Sequence, residues 1–465
     1  MSTCMGCFRK QQEINRLQWE NGHLKARLRT LERSATEGPF GASTPSSKVP
    51  IKPSALAERQ ARRGGRKPGH AGRGRRSVSA DTADRVERVA LDADTCPHCG
   101  VPLESAGADT RTVTDMRPAR VEKVLLHLER KRCRACGRRY RARPTGMGPR
   151  SLYTHGLLAH VAEQHYVHGM PMGVIARQTG IAPGALWPAL GRVAATVQGA
   201  VASLVAEYRK APVRHADETG WRTDGQNGYA WLFATPTLSL FRLRTTRSAA
   251  VPAEVLGTER LPGVLVVDRY HAYNRAPVPL QYCYSHLKRD TEDLRKTFPD
   301  DPEVAAFVSA FVPALSEAMT LRTLGLPRSE FLSRAARAKR RILALVRRPA
   351  RHPAIQKIQN IFRKHKDRLY HWARDPAIPA ENNRAERDLR PLVVARKVSF
   401  GSQSPAGAQT REILLTILHT LKKRGAPLAA TLQAALDQLV KDPSLDPYAL
   451  LFTPPPPTPT PRPPP

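Results

Sequence analysis

The sequence predicts a multidomain α+β protein, and three observations lead to this fold class. Two matched Cys-x-x-Cys pairs enclose strand-like runs, which is typical of a small β-ribbon. Within residues 209–292 the order strand, strand, strand, helix, strand suits a sheet covered by helices. Helical periodicity dominates most of the chain elsewhere beyond residue 148. A chain of 465 residues has room for about two to four such domains.

The composition is strongly basic, with 75 Lys and Arg against 40 Asp and Glu and a formal net charge of +35. This excess favours a nucleic-acid partner over an anionic membrane surface, because no amphipathic anchor or lipidation signal is present. Six of the seven cysteines form Cys-x-x-Cys pairs, which favours metal binding in a reducing compartment. We expect a cytoplasmic protein, since neither a signal-peptide core nor an apolar run of about 20 residues occurs.

The first 36 residues carry a coiled-coil pattern. Residues at alternating spacings of three and four form an a/d seam, consisting of Ile14, Leu17, Asn21, Leu24, Leu28 and Leu31. The seam predicts a short dimerising coiled coil whose asparagine defines the register. Because only about three heptads are present, an amphipathic helix packed on its own chain stays the alternative. Cys4 and Cys7 precede the seam, as free thiols or as half of a zinc site shared across a dimer.

Residues 37–80 are rich in Ser, Pro and Gly and show no helical or strand period. Ten Lys or Arg and a single acid lie between Lys48 and Arg76. We interpret the segment as a flexible basic arm for DNA phosphates, with a merely solvated linker as the alternative. Its candidate DNA contacts are Arg62, Arg63, Arg66, Lys67, Arg73, Arg75 and Arg76.

Residues 81–147 contain the same cysteine knuckle twice, each time followed by a glycine. The four candidate ligands are Cys96, Cys99, Cys133 and Cys136. Four thiolates in a tetrahedral array suit one structural zinc ion per chain, with no open position for catalysis. Residues 110–114 and 121–129 alternate like the strands of a zinc ribbon. His98 could substitute as a ligand, and a redox-active cysteine pair is the remaining alternative.

Residues 148–208 are helical in period. Ala176, Gly180, Ile181 and Leu186 fall where a helix-turn-helix needs a small crossing residue, a turn glycine and apolar residues beyond it. Pro188 conflicts with this reading, because proline should disrupt the second helix unless that helix is short. Three helices that only pack together remain the alternative to a DNA-binding unit.

Two acids accompany the strand-like runs of residues 209–292. Asp217 lies where an extended run meets a glycine turn, and Asp268 ends the buried run that begins at Gly263. Adjacent strand residues face opposite sides, so only one of Asp217 and Glu218 can point into a shared site. A charge at the end of a buried strand is costly unless a cation or metal is near. The pattern favours a nuclease-type sheet that binds divalent metal for phosphoryl transfer.

A third acid is needed for such a site, and Glu386 is the candidate. The 118 positions between residues 268 and 386 are too many for a connecting loop, so we expect a helical insertion there. A helical pattern around the candidate places three polar side chains on one face, those of Asn382, Asn383 and Glu386. Pro391 is expected to end this helix. Glu381 would begin it, where a carboxylate serves the helix dipole.

Four motifs occur in order along the chain, namely Asp217-Glu-Thr, the run from Val266 to Tyr273, Cys283-x-x-His286-x-x-Arg289 and Asn382-Asn-x-x-Glu386-Arg. Together they resemble the DDE transposases of the insertion-sequence family numbered sixty-six, over the chain from Cys96 to about Leu439. The resemblance implies an RNase H-like α/β catalytic domain interrupted by a helical insertion. It selects Asp217, Asp268 and Glu386 as the catalytic acids.

The resemblance also implies an activity. We expect a bacterial insertion-sequence transposase that binds inverted-repeat ends and target DNA and performs metal-dependent strand cleavage and transfer. The three acids would hold two Mg (or Mn) ions about 3.5–4 Å apart. His286 and Arg289 could contact the scissile phosphate, or serve as capping or surface residues. Cys283 is assigned no chemistry.

The expected partners are DNA, a second copy of the chain or a higher synaptic assembly, and small accessory proteins of the element, but no membrane. Two alternatives share the fold: a nuclease or resolvase that only hydrolyses DNA, and a DNA-binding regulator with an inactive catalytic face.

The predicted catalytic core is split, and the predicted segments are a coiled coil (1–36), basic linker (37–80), zinc ribbon (81–147), helix-turn-helix region (148–208), first core part (209–292), helical insertion (293–375), last core part (376–425), C-terminal helices (426–452) and Pro-rich tail (453–465).

Overall fold

The computed structural model describes residues 10, 13–22, 24–25, 79–117, 120–149 and 151–453. The chain divides into two compact units. The sheet unit comprises Met1–Lys52 and Ala206–Gly401, and the ribbon unit comprises Pro53–Val205 and Ser402–Pro465.

The ribbon unit begins with a small sheet made of β1 (Arg85–Val89), β2 (Leu103–Arg117), β3 (Arg120–Cys133) and β4 (Arg139–Arg141). β2 and β3 form a long antiparallel pair, β1 runs parallel to β3, and β4 pairs antiparallel with residues 130–132 of β3. Alternate side chains of β2 and β3 build one apolar core, which includes Val113, Val124, Leu126 and Leu128. The strands predicted within residues 110–129 are therefore present, as parts of longer ones.

Four helices follow: α1 (His155–Tyr166), α2 (Met172–Thr179), α3 (Pro183–Val197) and α4 (Gly199–Lys210). α2 ends at Gly180, whose φ of 68° is left-handed, and α3 starts with proline at its first position.

The expectation that Pro188 disrupts the second helix is wrong, because α3 continues through it to Val197. The proline removes only the hydrogen bond to the carbonyl four residues earlier. Leu186, Leu190 and Val197 are fully buried and hold the helix in place.

The sheet unit is built on strands β5 (Val213–Thr223), β6 (Gln226–Ala234), β7 (Ser239–Arg244), β8 (Val264–Val267) and β9 (Leu280–Tyr282), with α5 (Ala250–Leu256) between β7 and β8. Their spatial order is β7-β6-β5-β8-β9, with β5, β6 and β7 antiparallel and β8 and β9 parallel to β5. The predicted order of strands and helix along the chain is confirmed.

The first residues of β5 are anchored to the end of α4. The Arg214 guanidinium is buried and donates to the carbonyls of Tyr208, Arg209 and Pro262 at 2.6–2.9 Å. The last carbonyls of a helix have no partner within the helix, and a cation there also meets the negative end of the helix dipole. The contacts explain why a charged side chain can be buried without a carboxylate partner.

Helices fill the interval predicted as an insertion: α6 (Tyr284–Thr297), α7 (Pro302–Thr320), α8 (Arg328–Arg347) and α9 (Pro353–Lys364). By length and composition, Pro302–Leu324 could cross a membrane, as could the bent pair of α3 and α4 if counted as one span. The core helix of a soluble protein passes the same test, and Val304, Phe311 and Leu315 of α7 are fully buried.

The sheet unit ends with α10 (Asn383–Ser399), which packs against β5 and β6. The prediction that Pro391 ends this helix is wrong, because α10 runs eight residues further. Leu389 and Leu392 are buried, and Arg396 Nη1 donates to the Gly220 carbonyl at 2.7 Å. These contacts offset the hydrogen bond that the proline removes.

The C-terminal helices are α11 (Pro405–Lys423), α12 (Leu428–Lys441) and α13 (Pro447–Phe452). The boundary between the units falls after Gly401, so α11 belongs to the ribbon unit, where it packs on α1 and α3. The last part of the catalytic core, as predicted from the sequence, extends further, to residue 425. Amphipathic helices were expected between residues 411 and 439, and α11 and α12 occupy that range.

Candidate active site and metal centres

Asp217 lies on β5, the middle strand of the sheet unit. Its Oδ1 accepts a hydrogen bond from the Glu218 backbone N–H at 2.9 Å. Burial, and then the charges of Glu218, Asp268 and Glu386, raise the pKa of Asp217 to about 8. Carboxylates from three distant parts of the chain therefore repel one another here, and a bound cation would relieve that repulsion.

Asp268 directly follows β8, which runs parallel to β5. The register pairs His215 with Val266, so the residues two positions further on, Asp217 and Asp268, reach the same edge of the sheet. Asp268 Oδ1 accepts from the Tyr270 N–H at 2.8 Å, which makes a tight turn after the strand. Strand pairing and this turn together determine the position of the second acid.

Glu386 lies in the first turn of α10 and is about one-third exposed, at 34%. Its Oε1 is 3.9 Å from His286 Nδ1 on α6, and both atoms are buried without a hydrogen-bond partner. Buried polar atoms without partners are uncommon in native proteins and often mark a place for water, an ion or a ligand. The pair is therefore a candidate binding position.

Asn382 does not line the cleft, contrary to the face predicted for it. It is buried in front of α10, where its Nδ2 donates to the Ala216 carbonyl at 2.8 Å and its Oδ1 accepts from His215 Nδ1 at 2.9 Å. Its backbone N–H donates to Cys283 Sγ at 3.1 Å. The amide side chain thus pairs with β5, because the polar groups of that strand need partners where α10 covers them.

The N-termini of α6 and α10 are joined by further hydrogen bonds. The Tyr284 N–H donates to the Ala380 carbonyl at 2.8 Å, and Ser285 Oγ donates to Asn383 Oδ1 at 3.2 Å. These contacts hold His286 and Glu386 on neighbouring helices beside each other.

The sequence assigned no chemistry to Cys283, yet its sulfur meets two polar side chains. Ligand atoms of Cys283, His286 and Glu386 all lie within 4.8 Å of one another. Among the residues that the structure describes, the cysteine quartet is the other group of three or more His, Cys, Asp or Glu whose ligand atoms all lie within 4.8 Å of one another. The carboxylate oxygens of the three predicted acids therefore do not all lie within that distance. A signal was available in the Cys-x-x-His spacing at a helix start. Arg289 on the same helix is exposed.

Glu218, the neighbour of Asp217, is held by two side chains. Arg247 Nη2 donates to its Oε1 at 2.6 Å, and Tyr273 Oη donates to its Oε2 at 2.6 Å. Burial raises the pKa of Glu218, although both hydrogen bonds and Arg247 act against that rise. Arg247 also lies over the Tyr270 ring, 3.8 Å from its centroid. The sequence did not single out Arg247, and it named Tyr273 only as the end of the run from Val266, with no role for its hydroxyl.

The four cysteines of the ribbon unit converge. Their sulfurs all lie within 4.8 Å of one another, with 3.6 Å from Cys96 to Cys136 and 3.3 Å from Cys99 to Cys133. A tetrahedral zinc site with Zn–S bonds of about 2.3 Å separates its sulfurs by about 3.8 Å. The quartet is consistent with a structural zinc site. His98 is exposed in the first knuckle.

The two knuckles have the same backbone geometry. Gly100 and Gly137 both have a φ of 70°, and each donates its N–H to the carbonyl of the first cysteine of its pair, at 2.8 and 2.9 Å. A hydrogen bond with Tyr140 Oη, at 3.3 Å, is the main cause that lowers the pKa of Cys96 to about 5.

The remaining predicted sites lie mostly outside the described residues. This holds for the basic arm with all its candidate DNA contacts, for Leu28 and Leu31, and for Cys4 and Cys7. Residues 13–22 are helical, and the described seam positions Ile14, Leu17 and Leu24 are 46%, 51% and 57% exposed, while Asn21 is exposed as well.

Comparison with known proteins identifies the family of residues 93–137 and 150–410. The family model described as "Transposase IS66 family" matches residues 150–410, and the model of the "zinc-finger binding domain of transposase IS66" matches residues 93–137. "Uncharacterized protein y4jD" of Sinorhizobium fredii is 23% identical over 391 residues, which is 74% of this chain and 74% of that protein. "Uncharacterized protein y4jO" of the same organism is 39% identical over 62 residues, 13% of this chain and 19% of that protein.

Proposed function

Because the chain belongs to the transposase IS66 family, we propose that it is a DDE-type enzyme that cleaves and joins DNA strands at the ends of its insertion sequence. The observation that carries the proposal is that Asp217 lies buried on β5 within electrostatic range of Asp268 and Glu386: burial first, and then the charges of Glu218, Asp268 and Glu386, raise the pKa of Asp217 to about 8. The strand order β7-β6-β5-β8-β9 supports an RNase H-like catalytic domain.

In this proposal Asp217, Asp268 and Glu386 are the metal ligands. Two Mg (or Mn) ions, when bound, supply activation of a water or a DNA 3′-hydroxyl and stabilisation of the leaving oxygen. Asp217 accepts one backbone N–H, whereas two side chains hold Glu218, so Asp217 is the better available ligand. The turn at Tyr270 orients Asp268.

The third acid depends on its neighbours for its position. The Asn382 side chain joins the start of α10 to β5, and its backbone N–H donates a hydrogen bond to Cys283 Sγ. His286 lies 3.9 Å from Glu386 and is close enough to orient that carboxylate or to meet a DNA phosphate beside it.

DNA binding is assigned to several parts of the chain. The net charge of +35 supports sequence-independent affinity, in which the basic arm of residues 62–76 would take part. In this proposal α2 and α3, with the left-handed Gly180 after α2, form a helix-turn-helix that would contact the inverted repeat. The zinc-bound ribbon would add a second DNA-binding surface, and the N-terminal seam would pair two chains.

The first prediction tests the third acid. Glu386→Gln should abolish magnesium-dependent cleavage of the element's ends, since the neutral amide is a poor magnesium ligand, while leaving DNA binding unchanged. Glu381→Gln, which alters a partly buried acid just before α10, should keep most of the activity. Cleavage is measured on labelled end fragments and binding by fluorescence anisotropy. Wild-type cleavage by Glu386→Gln would remove Glu386 from the site.

The same assay separates the proposed activity from its nearest alternative. A nuclease that only hydrolyses DNA would use the same acids but would leave no joined products. Strand-transfer products with a supercoiled target in magnesium support the transposase, and cleavage without them supports the nuclease.

A further inference from the structure

A pocket of about 410 Å³ opens between β5, β6 and the end of α10. Glu218 forms one wall, so the pocket adjoins the strand residue next to Asp217. Its volume lies within the range of small-molecule and cofactor sites, roughly 300–1,000 Å³.

The pocket wall is basic. Arg222, Arg247 and Arg396 line it, and Glu218 is the acid that faces them. Arg396 Nη1 is held by Thr219 Oγ1 at 3.0 Å and the Gly220 carbonyl at 2.7 Å, while its Nε is buried without a partner. The oxygens that hold Nη1 are neutral, so the guanidinium keeps its charge, and an anionic ligand in the pocket could pair with it through charge-assisted hydrogen bonds.

Aromatic side chains provide the rest of the wall. Trp221 is buried in its floor, Tyr229 lines one side, and Phe400 is 55% exposed at its rim. An exposed phenylalanine beside arginines offers a flat apolar face next to positive charge, and this combination binds the base and phosphate of a nucleotide.

The backbone holds Phe400 at the rim at an energetic cost. Phe400 has a φ of 58°, a left-handed conformation that is uncommon for aromatic residues. Gly401 follows with a φ of 128°, and a Cβ there would lie 2.2 Å from the Arg222 carbonyl oxygen. The chain can approach β5 this closely only with glycine at that position. Strained residues persist where the surrounding structure holds them, often at binding sites.

We propose that this pocket receives one unstacked nucleotide of the DNA strand on which the acids act, with its base against Phe400 and Tyr229 and its phosphate toward Arg396. The inference rests on the proposed function only in taking DNA as the substrate. Such a pocket holds one nucleotide of the bound strand and favours DNA whose bases are already unpaired there.

The test compares two short duplexes in the absence of magnesium, one fully paired and one carrying an unpaired 2-aminopurine. Full-length wild-type protein should prefer the unpaired duplex and change the 2-aminopurine fluorescence. Phe400→Ala and Arg396→Gln should each reduce that preference at least about fivefold, the lower end of one stacking interaction. Affinity for the paired duplex should change less than twofold.

Matched controls lie on the same helix. Val398→Ala and Lys397→Gln change exposed neighbours on α10 and should keep the wild-type preference. Phe400→Trp should restore the preference that Phe400→Ala loses, which separates stacking from loss of folding. An unchanged preference in Phe400→Ala, or an equal loss for both duplexes, would overturn the proposal. The binding and fluorescence measurements need no cleavage. A failure of this proposal can therefore be told apart from a failure of the proposed function, in which the wild-type protein would not cut DNA in magnesium.

Discussion

Gly263 controls where β8 begins, and β8 leads directly to Asp268. Its φ is +76°, and a Cβ there would lie 2.0 Å from the Pro212 carbonyl oxygen. That carbonyl accepts the Val264 N–H at 2.9 Å, directly before the first paired residues of β5 and β8. The glycine therefore lets two parallel strands start side by side, which brings Asp217 and Asp268 to one edge.

We predict that Gly263→Ala lowers the free energy of unfolding by more than about 2 kcal/mol, because backbone strain and a clash with backbone add together. Gly325→Ala is the control: its φ is +62°, but nothing lies within 4 Å of the new Cβ. It should cost only about 1 kcal/mol. Urea unfolding measures both, and equal losses would contradict the role of the close approach.

His165 is a second residue whose surroundings determine its chemistry. In the ribbon unit its Nδ1 donates to the Met170 carbonyl at 2.9 Å, and Arg411 Nη2 donates to its Nε2 at 2.9 Å. Burial, followed by the charge of Arg411, lowers the pKa of His165 to about 4. The folded protein therefore keeps this imidazole neutral where an unfolded chain would protonate it.

The resulting prediction concerns stability at acidic pH. Since the folded pKa lies below the ordinary value of 6.5, stability present above pH 6.5 is lost as the pH falls toward 4. Between about pH 7 and pH 4.5, wild type should lose roughly 1–3 kcal/mol more than His165→Gln does. His168→Gln, which changes an exposed histidine, should keep the wild-type pH dependence. Denaturant unfolding across this range measures the difference.

At the scale of elements, the twin knuckles of the ribbon unit are the clearest case of sequence spacing that becomes geometry. We predict one equivalent of zinc per chain. Cys133→Ser should lose this zinc, and residues 90–143 should then no longer show a cooperative unfolding transition. His98→Ala should keep its zinc, because His98 lies within the knuckle and is exposed. Elemental analysis decides the stoichiometry. Less than half an equivalent in wild type would argue against the site.

Two prolines show how an element can depart from its local signal. Pro188 and Pro391 both lie inside helices, although each lacks the N–H that the helix needs. The neighbouring apolar residues are buried in both helices, and burial of about two or three such side chains offsets one lost hydrogen bond. A proline therefore predicts the end of a helix poorly when both flanks are packed.

At the scale of the whole molecule, the N-terminal seam predicts pairing of two chains. Ile14, Leu17 and Leu24 are between 46% and 57% exposed on helical residues of a single chain. We predict that Leu17→Ala combined with Leu24→Ala halves the molecular mass measured by light scattering, while the zinc content stays the same. Gln18→Ala, off the seam, is the control and should keep the wild-type mass. An unchanged mass in the double variant would indicate that the seam does not join chains.

The sequence by itself determined the features that depend on near neighbours. The cysteine knuckles, the order of strands and helix from β5 to β9, and the placement of Asp217 and Asp268 by their strands follow from spacing and hydrophobic pattern. The helical interval before α10 also follows from periodicity. These signals are local because each involves residues within one element or one turn.

Only the tertiary structure decided which polar groups meet. The Asn382 side chain does not face the cleft but donates a hydrogen bond to Ala216 of β5, 166 positions earlier in the chain. Cys283, to which the sequence assigned no chemistry, has its sulfur within 4.8 Å of a Glu386 carboxylate oxygen. Glu218 differs from Asp217 through Arg247 and Tyr273, which come from other elements. A helical period tells which residues share a face, but the strand or helix that covers the face depends on chain segments far away in sequence.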